Sequence, residues 1–320
     1  MTSRSFKLVG FAALAALSLS ACGGQPASTT DPSATGSSST GSVSIDGSST
    51  VGPLAEAAAA AYAKVAADVR VTVATSGTGG GFKKFCAGET DISNASRAIK
   101  DEEKQACDAA GIKFTEIVIA NDGLAVVVNK ENTWAACLTV AQLTKMWAPD
   151  SEGKVTNWNQ VDSTFPDQAL TLFGAGTDSG TFDYFTDAIN GEEGASRTDY
   201  SPSEDDNITV QGVSGDKGAL GYFGLSYAEE NASLLTTAKV DGGAGCVTPT
   251  VETVQSGAYT PLSRPLFIYV ANKAYTEKAG VKGFVDYFVK DSDAIAKAAA
   301  FVPMTAAQQK KAADELASLS

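Results

Sequence analysis

The sequence predicts an α/β protein of two domains with mainly parallel sheets. Three observations carry this expectation. β-rich runs alternate with helical patterns along most of the chain, the arrangement that layers helices on parallel strands. The 320 residues exceed what one small core usually holds. A composition 43% hydrophobic and 19% charged is that of a folded chain.

The elements follow in order. Arg4 and Lys7 precede the apolar run "LVGFAALAALSL" (8–19), and "LSAC" then places Cys22 after small residues. Twelve apolar residues are too few to span a hydrocarbon core of about 30 Å, so residues 1–22 read as a secretion signal. "GGQPASTTDPSATGSSSTGS" (23–42) is a flexible tether with a reach of roughly 25 Å, and no secondary structure is expected there. "SVSIDG" (42–47) is a strand, and "GPLAEAAAAAYAKVA" (52–66) is an Ala-rich helix with Pro53 in its first turn. "VRVTVAT" (69–75) alternates as a strand, followed by a short helix over "GGFKKFCAG" (80–88). "KFTEIVIA" (113–120) and "GLAVVVN" (123–129) are β-rich, and "TVAQLTKMW" (139–147) is helical. The strand "ALTLFGA" (169–175) leads into a helix over "SGTFDYFTDAI" (179–189). "PLFIYVAN" (265–272) is a strand, and 279–291 and 306–319 are helices.

Composition excludes several function classes. With no histidine, the chain has no Ser-His-Asp or Cys-His nucleophilic site, no His-ligated zinc and no HExxH motif. A net charge of −13 argues against nucleic acid, which needs basic stripes. A small anion answers to local dipoles, so net charge does not exclude it. "SGDK" (214–217) fits S-x-x-K, but S-D-N and K-T-G are missing. Setting Cys22 aside leaves Cys86, Cys107, Cys137 and Cys246, an even number that suggests two disulfides in an exported chain. Three pairings are open. Cys86–Cys107, near in sequence, with Cys137–Cys246, closing a long loop within one domain, is the favoured one, at ~2–4 kcal/mol each.

Three strand-to-helix turns share one chemistry: "DGSSTVGP" (46–53), "TSGTGGGFKKF" (75–85) and "GAGTDSGTFDYF" (174–185). Each offers hydroxyls and backbone N–H groups at the positive end of a helix dipole. Singly, each is an ordinary capped helix. Three together, where strands end and helices begin, point to an anion site. The glycine spacing fits neither a dinucleotide fingerprint nor a P-loop. "DISNASRAIK" (91–100) adds Ser96 and Arg97, whose planar fork matches a tetrahedral oxyanion. Lys83 and Lys84, read as lying early in a helix, are candidates to steer the ion.

With these blocks, and with "DGLAVVVN" (122–129) and "GALGYFG" (218–224), the chain resembles the substrate-binding lipoproteins of Pst-type phosphate ABC transporters, from about Ser44 to about Thr305. The resemblance implies a two-lobed periplasmic-binding-protein fold of type II, its ligand cleft between lobes joined by two hinge crossings. It divides the chain into lobe one, 43–121 plus 265–320, and lobe two, 122–264. It implies phosphate contacts from Ser49, Thr50 and the Val51 N–H, from Thr78 and Ser96, and from a Ser179-Gly180-Thr181 clamp on the other lobe. Some members carry an arginine four residues before that serine. Here Ala175 stands there, which leaves the cation to Arg97. The carboxylate some members have at position 96 is likewise replaced by serine, and Asp178 is the expected substitute. An acceptor in the cleft takes a hydrogen bond from protonated phosphate and repels sulfate.

The resemblance further implies lipid on the Cys22 thiol, anchorage to the outer face of a bacterial cell membrane, a monomer, and a permease partner. It implies no catalytic residue, no metal and no cofactor. The alternatives are a receptor for another tetrahedral oxyanion, such as sulfate or molybdate, and a surface phosphatase.

Overall fold

The computed structural model describes residues 41–177, 179–203 and 205–319. The expectations for Cys22, for the signal, for most of the tether and for Asp178 lie outside the described residues.

Two long strands organise the rest. The expected runs 113–120 and 123–129 are one strand, Phe114–Asn129, unbroken through Asn121-Asp122-Gly123. It pairs antiparallel with Ser263–Ala271, from Ser263 opposite Gly123 to Ala271 opposite Phe114, with an irregularity between Leu266 and Phe267. Asp122 faces Arg264 directly across this ladder. On one side of the pair the sheet continues through Ile92–Ala95, Gly41–Gly47 and Val69–Thr75. On the other it continues through Ala219–Gly224, Thr171–Ala175 and Ser201–Ser203, while Leu235–Thr237 also pairs with the long strand.

The sheet is therefore mixed, which corrects the expectation of mainly parallel strands. Both flanks are parallel, Gly41–Gly47 with its two neighbours and Thr171–Ala175 with its two. The centre is antiparallel because the chain leaves one body and returns beside its own outgoing strand. Two large hydrophobic cores lie on either side of that crossing. One gathers residues from 43–120 and 266–319, the other residues from 124–262 together with Val302. A third, smaller cluster packs Phe82, Phe85 and Tyr269 around the Cys86–Cys107 disulfide. The second disulfide joins Cys137 to Cys246, their Cα atoms 5.9 Å apart, so both favoured pairings are present.

Two helix boundaries differ from expectation for identifiable reasons. The Ala-rich helix is Gly52–Tyr62 and stops four residues early. There Lys64 and Val65 bond back only three residues, to Ala61 and Tyr62, as the chain turns toward the strand at Val69. The Gly-rich helix is Gly77–Cys86 and starts three residues early, although glycine is a poor helix former. Close approach explains it. A Cβ on Gly81 would sit 2.4 Å from the Gly47 Cα, so only glycine lets this helix lie flush on the neighbouring strand end. Consequently Lys83 and Lys84 lie in the last turn, not an early one. Lys84 forms an ion pair with the buried Asp46, which does not leave it free for steering.

Candidate functional site

The Ser49–Thr50 turn lies between two adjoining pockets, one lined by Thr78 and the other by Ser179–Thr181. A cavity of about 840 Å³ is lined by Ser49, Thr50, Thr78, Ser96 and Arg264, among others. A smaller pocket of about 190 Å³ shares Ser49 and Thr50 with it and adds Asp122, Ser179, Gly180 and Thr181.

Helix Gly180–Asn190 positions Ser179, Gly180 and Thr181. Phe182, Phe185 and Ile189 recur at helical spacing and are buried. Phe185 stacks on Tyr222 with centroids 3.7 Å apart, and Trp147 packs edge-on against both. With that stripe held in the core, the N-terminus is directed at the opposite lobe. Ser179 caps it by accepting a hydrogen bond from the Thr181 N–H at 3.1 Å. A Cβ on Gly180 would lie 2.4 Å from the Thr50 nitrogen, so the helix start touches the backbone of the facing turn.

On that facing turn, Ser49 Oγ donates to Asp183 Oδ2 at 2.6 Å and Thr50 Oγ1 donates to the Gly180 carbonyl at 3.0 Å. Thr50 Oγ1 also accepts from Arg264 Nη2 at 2.8 Å. Val51 is not brought to the cleft wall. Its side chain is fully buried in the core and its N–H faces Ser48 Oγ at 3.4 Å. Thr78 and Ser96 are brought together, with their hydroxyl oxygens 3.2 Å apart and the Ser96 N–H 3.3 Å from Thr78 Oγ1. Both are buried and line the larger cavity.

Two arginines, Arg97 and Arg264, line the larger cavity. Arg97 reaches the cavity wall, but its fork is filled by Glu103, with two hydrogen bonds of 2.8 Å each. Burial alone would raise the Glu103 carboxyl, yet the Arg97 hydrogen bonds hold it below its usual range. Arg264 lies deeper, 15% exposed against 34% for Arg97. Its guanidinium lies 3.4 Å above the Tyr184 ring, and its Nε is 3.5 Å from Asp122 Oδ2. Burial pulls the guanidinium down and pushes the Asp122 carboxyl up, while each partner's charge opposes the other's shift. Asp122 Oδ2 and Arg264 Nε are buried without a hydrogen-bond partner among the described residues.

The sequence expectations omit Arg264, although a signal was present. Asp122 is the single charge in 117–129, and Arg264 is the single charge in 261–272. One lone acid and one lone base, each in an apolar β run, invite a cross-strand pair. A second unexpected feature is an acidic wall. Asp183, Asp187, Glu192 and Glu193 face the larger cavity, and burial, then Asp183 and Asp187, push the Glu193 carboxyl up. Among the described residues no cluster of acids and cysteines could hold a metal ion.

Residues 32–292 match the family model described as a PBP superfamily domain. The chain is 49% identical over 265 residues to protein SphX of Synechococcus elongatus, covering 82% of this chain and 78% of that protein. It is 38% identical over 303 residues to the phosphate-binding protein PstS of Staphylococcus saprophyticus, covering 94% and 91%. The crystal structure of a "possible phosphate binding protein" from Planctomyces limnophilus superimposes with a TM-score of 0.84 at 46% identity, covering 88% of this chain and 99% of that one.

Proposed function

The chain belongs to the PBP superfamily, in the family of the phosphate-binding proteins PstS, and we propose that it is an extracytoplasmic receptor that binds inorganic phosphate and hands it to an ABC transporter permease. One observation supports this reading above the rest. The hydroxyls of Ser49, Thr50, Thr78 and Ser96 line the cavity that Arg264 also lines, and Ser179 and Thr181 line the adjoining pocket that shares Ser49 and Thr50 with it. Such a cluster of donors around one guanidinium suits a small tetrahedral oxyanion.

Each group has a chemical task in this reading. Arg264 supplies the positive charge in place of Arg97, which Glu103 already occupies. The Thr78–Ser96 hydroxyl pair, in which one oxygen donates to the other, has a proton left to turn toward the oxyanion, whereas Thr50 Oγ1 gives its proton to the Gly180 carbonyl. The N-terminus of Gly180–Asn190 brings the positive end of its helix dipole. Closure of lobe two, 122–264, over lobe one, 43–121 plus 265–320, buries the ion and forms the surface the permease reads. Ser49–Asp183 and Thr50–Gly180 are the contacts that hold the closed arrangement. The protein carries its ligand without transforming it. The Cys22 thiol holds the lipid anchor, and 23–42 is the tether to the membrane surface.

Calorimetric titration of the purified protein tests the reading. Saturable one-to-one binding of inorganic phosphate is expected, with sulfate at least about 100-fold weaker. Equal affinity for sulfate would replace phosphate with a general oxyanion as the ligand. Turnover of a phosphate ester would favour the enzyme reading.

A further inference from the structure

A guanidinium binds an oxyanion through its edge, because its N–H donors all lie in one plane. The tilt of that plane decides how many donors Arg264 presents to an anion in the cavity it lines. Its polar contacts do not settle the tilt. Nε stands 3.5 Å from Asp122 Oδ2, beyond the usual hydrogen-bond range, and Nη2 makes one bond, to Thr50 Oγ1 at 2.8 Å. A planar group held at one corner is still able to swing about that corner. A contact on its face removes the freedom.

We infer that Tyr184 is a positioning residue of the anion site, its ring fixing the plane of the Arg264 guanidinium so that the unused edge of the fork faces the ligand. The inference rests on the phosphate reading above and adds the residue that orients its cation.

Three observations carry it. The first is the stack itself. The Arg264 Cζ lies 3.4 Å from the Tyr184 ring centroid, well inside the ~6 Å over which a ring face attracts a cation. The negative face of the ring also favours the charge that burial disfavours. The second is that the ring is held from behind. Tyr184 is 4% exposed, on a helix whose Phe182 and Phe185 are buried, and its hydroxyl donates to the Pro261 carbonyl at 2.8 Å. Burial pushes that hydroxyl up against the opposing charge of Arg264, so the phenol keeps the proton it donates. Pro261 lies three residues before Arg264, so hydroxyl and ring together grip both ends of this short segment. The third is a closed circuit of contacts. Asp183, beside Tyr184, accepts from Ser49 Oγ at 2.6 Å, and Thr50, beside Ser49, accepts from Arg264. Two adjacent residues of the helix thus meet two adjacent residues of the facing turn, one pair directly and the other through the guanidinium. The helix that docks on the turn therefore also aims the arginine at it. An aliphatic side chain at 184 would fill the space and offer no such face.

Calorimetry with inorganic phosphate on Tyr184→Phe and Tyr184→Leu, with melting temperatures measured without ligand, tests the assignment. Phe keeps the ring face and gives up only the Pro261 bond, so phosphate affinity is expected within about threefold of wild type while the melting temperature falls. Leu keeps apolar bulk and gives up the face, and at least about a tenfold loss of affinity is expected in protein that is still folded. A role in packing alone would lower both melting temperatures and leave both affinities in place. Affinity of the folded Leu variant within about threefold of wild type overturns the inference. A loss of about tenfold in the Phe variant also overturns it, because the Pro261 bond and not the ring would then set the site. The wild type supplies a reading that no variant's folding affects. In its nuclear magnetic resonance spectrum the Arg264 Nε–H signal is expected upfield, in the ring current of Tyr184, and is expected to stay there when phosphate is bound. A signal at the position of an exposed arginine in the phosphate-bound protein overturns the inference. Failure of the wild type to bind phosphate is a different result, and it removes the receptor reading itself.

Discussion

Replacing Gly180 with Ala tests the closed geometry with a single methyl group. A Cβ at this position would lie 2.4 Å from the Thr50 nitrogen, 2.6 Å from its Cα and 2.7 Å from the Ser49 carbonyl carbon. All three are backbone atoms, so no side chain is able to swing aside. Relieving the closest contact to an ordinary 3.4 Å requires the helix start to retreat by about 1 Å. The same retreat stretches the Ser49–Asp183 hydrogen bond from 2.6 to about 3.6 Å and the Thr50–Gly180 bond from 3.0 to about 4.0 Å, beyond useful hydrogen-bonding distance. A bond to a carboxylate contributes about 1.5–3 kcal/mol and a neutral one about 0.5–1.5 kcal/mol. Together they make closure about 2–4.5 kcal/mol less favourable, which is ~30- to 1,600-fold in phosphate affinity. Alanine is a better helix former than glycine, so the helix itself should not suffer. Calorimetry on the Gly180→Ala protein, with its melting temperature measured without ligand, reads both quantities. Phosphate affinity within threefold of wild type would show that the lobes do not meet at this contact when the ligand is held.

Further outcomes follow from the same contacts. Arg264→Met should abolish measurable phosphate binding and lower stability by about 3–5 kcal/mol, because it leaves the Asp122 charge buried and unpaired; denaturant titration and calorimetry read the two effects separately. Arg97→Ala should leave phosphate affinity within about threefold of wild type, since Glu103 already satisfies that fork; a hundredfold loss would return the cationic role to Arg97. Hydrogen bonds from Arg197 lower the Asp199 carboxyl to about 2 from 3.8. A carboxyl with a depressed folded-state pKa adds stability that is fully present above its unfolded value and is lost as pH falls through the folded one. Melting temperatures should therefore drop between about pH 4 and 2, and Asp199→Asn should flatten that segment; an unchanged slope would rule out this pair as its source. Removing Cys137–Cys246, which spans 109 residues, should cost about 4.8 kcal/mol, and removing Cys86–Cys107, which spans 21, about 3.3 kcal/mol by loop entropy. Denaturant midpoints of the paired Cys→Ser variants would show whether the longer loop matters more.

Local signals carried a good part of the fold. Helix Gly180–Asn190 was readable because Ser179, a strong cap, precedes apolar residues spaced for one face. The parallel flanks were readable because their strands alternate with helices along the chain. What failed was whatever depends on two segments meeting. Glycines disfavour a helix over 77–79, and the need for glycine at 81 shows only once the strand end is in place, where an added Cβ would lie 2.4 Å from the Gly47 Cα. The antiparallel centre of the sheet pairs strands that lie more than a hundred residues apart, and no local pattern records their direction.

The site divides along the same line. Thr50, Thr78, Ser96 and Ser179–Thr181 each sit on a turn that the local sequence marks, and the fold sets them around two adjoining pockets that share Ser49 and Thr50. Charge was not legible, because a guanidinium's availability depends on its partner. Arg97 and Arg264 each stand among small or apolar residues in the sequence. Helix Asp101–Ala109 places Glu103 where it fills the Arg97 fork with two bonds. The strand crossing gives Arg264 a partner 3.5 Å away that binds only loosely, leaving its Nη2 to Thr50 and the cleft.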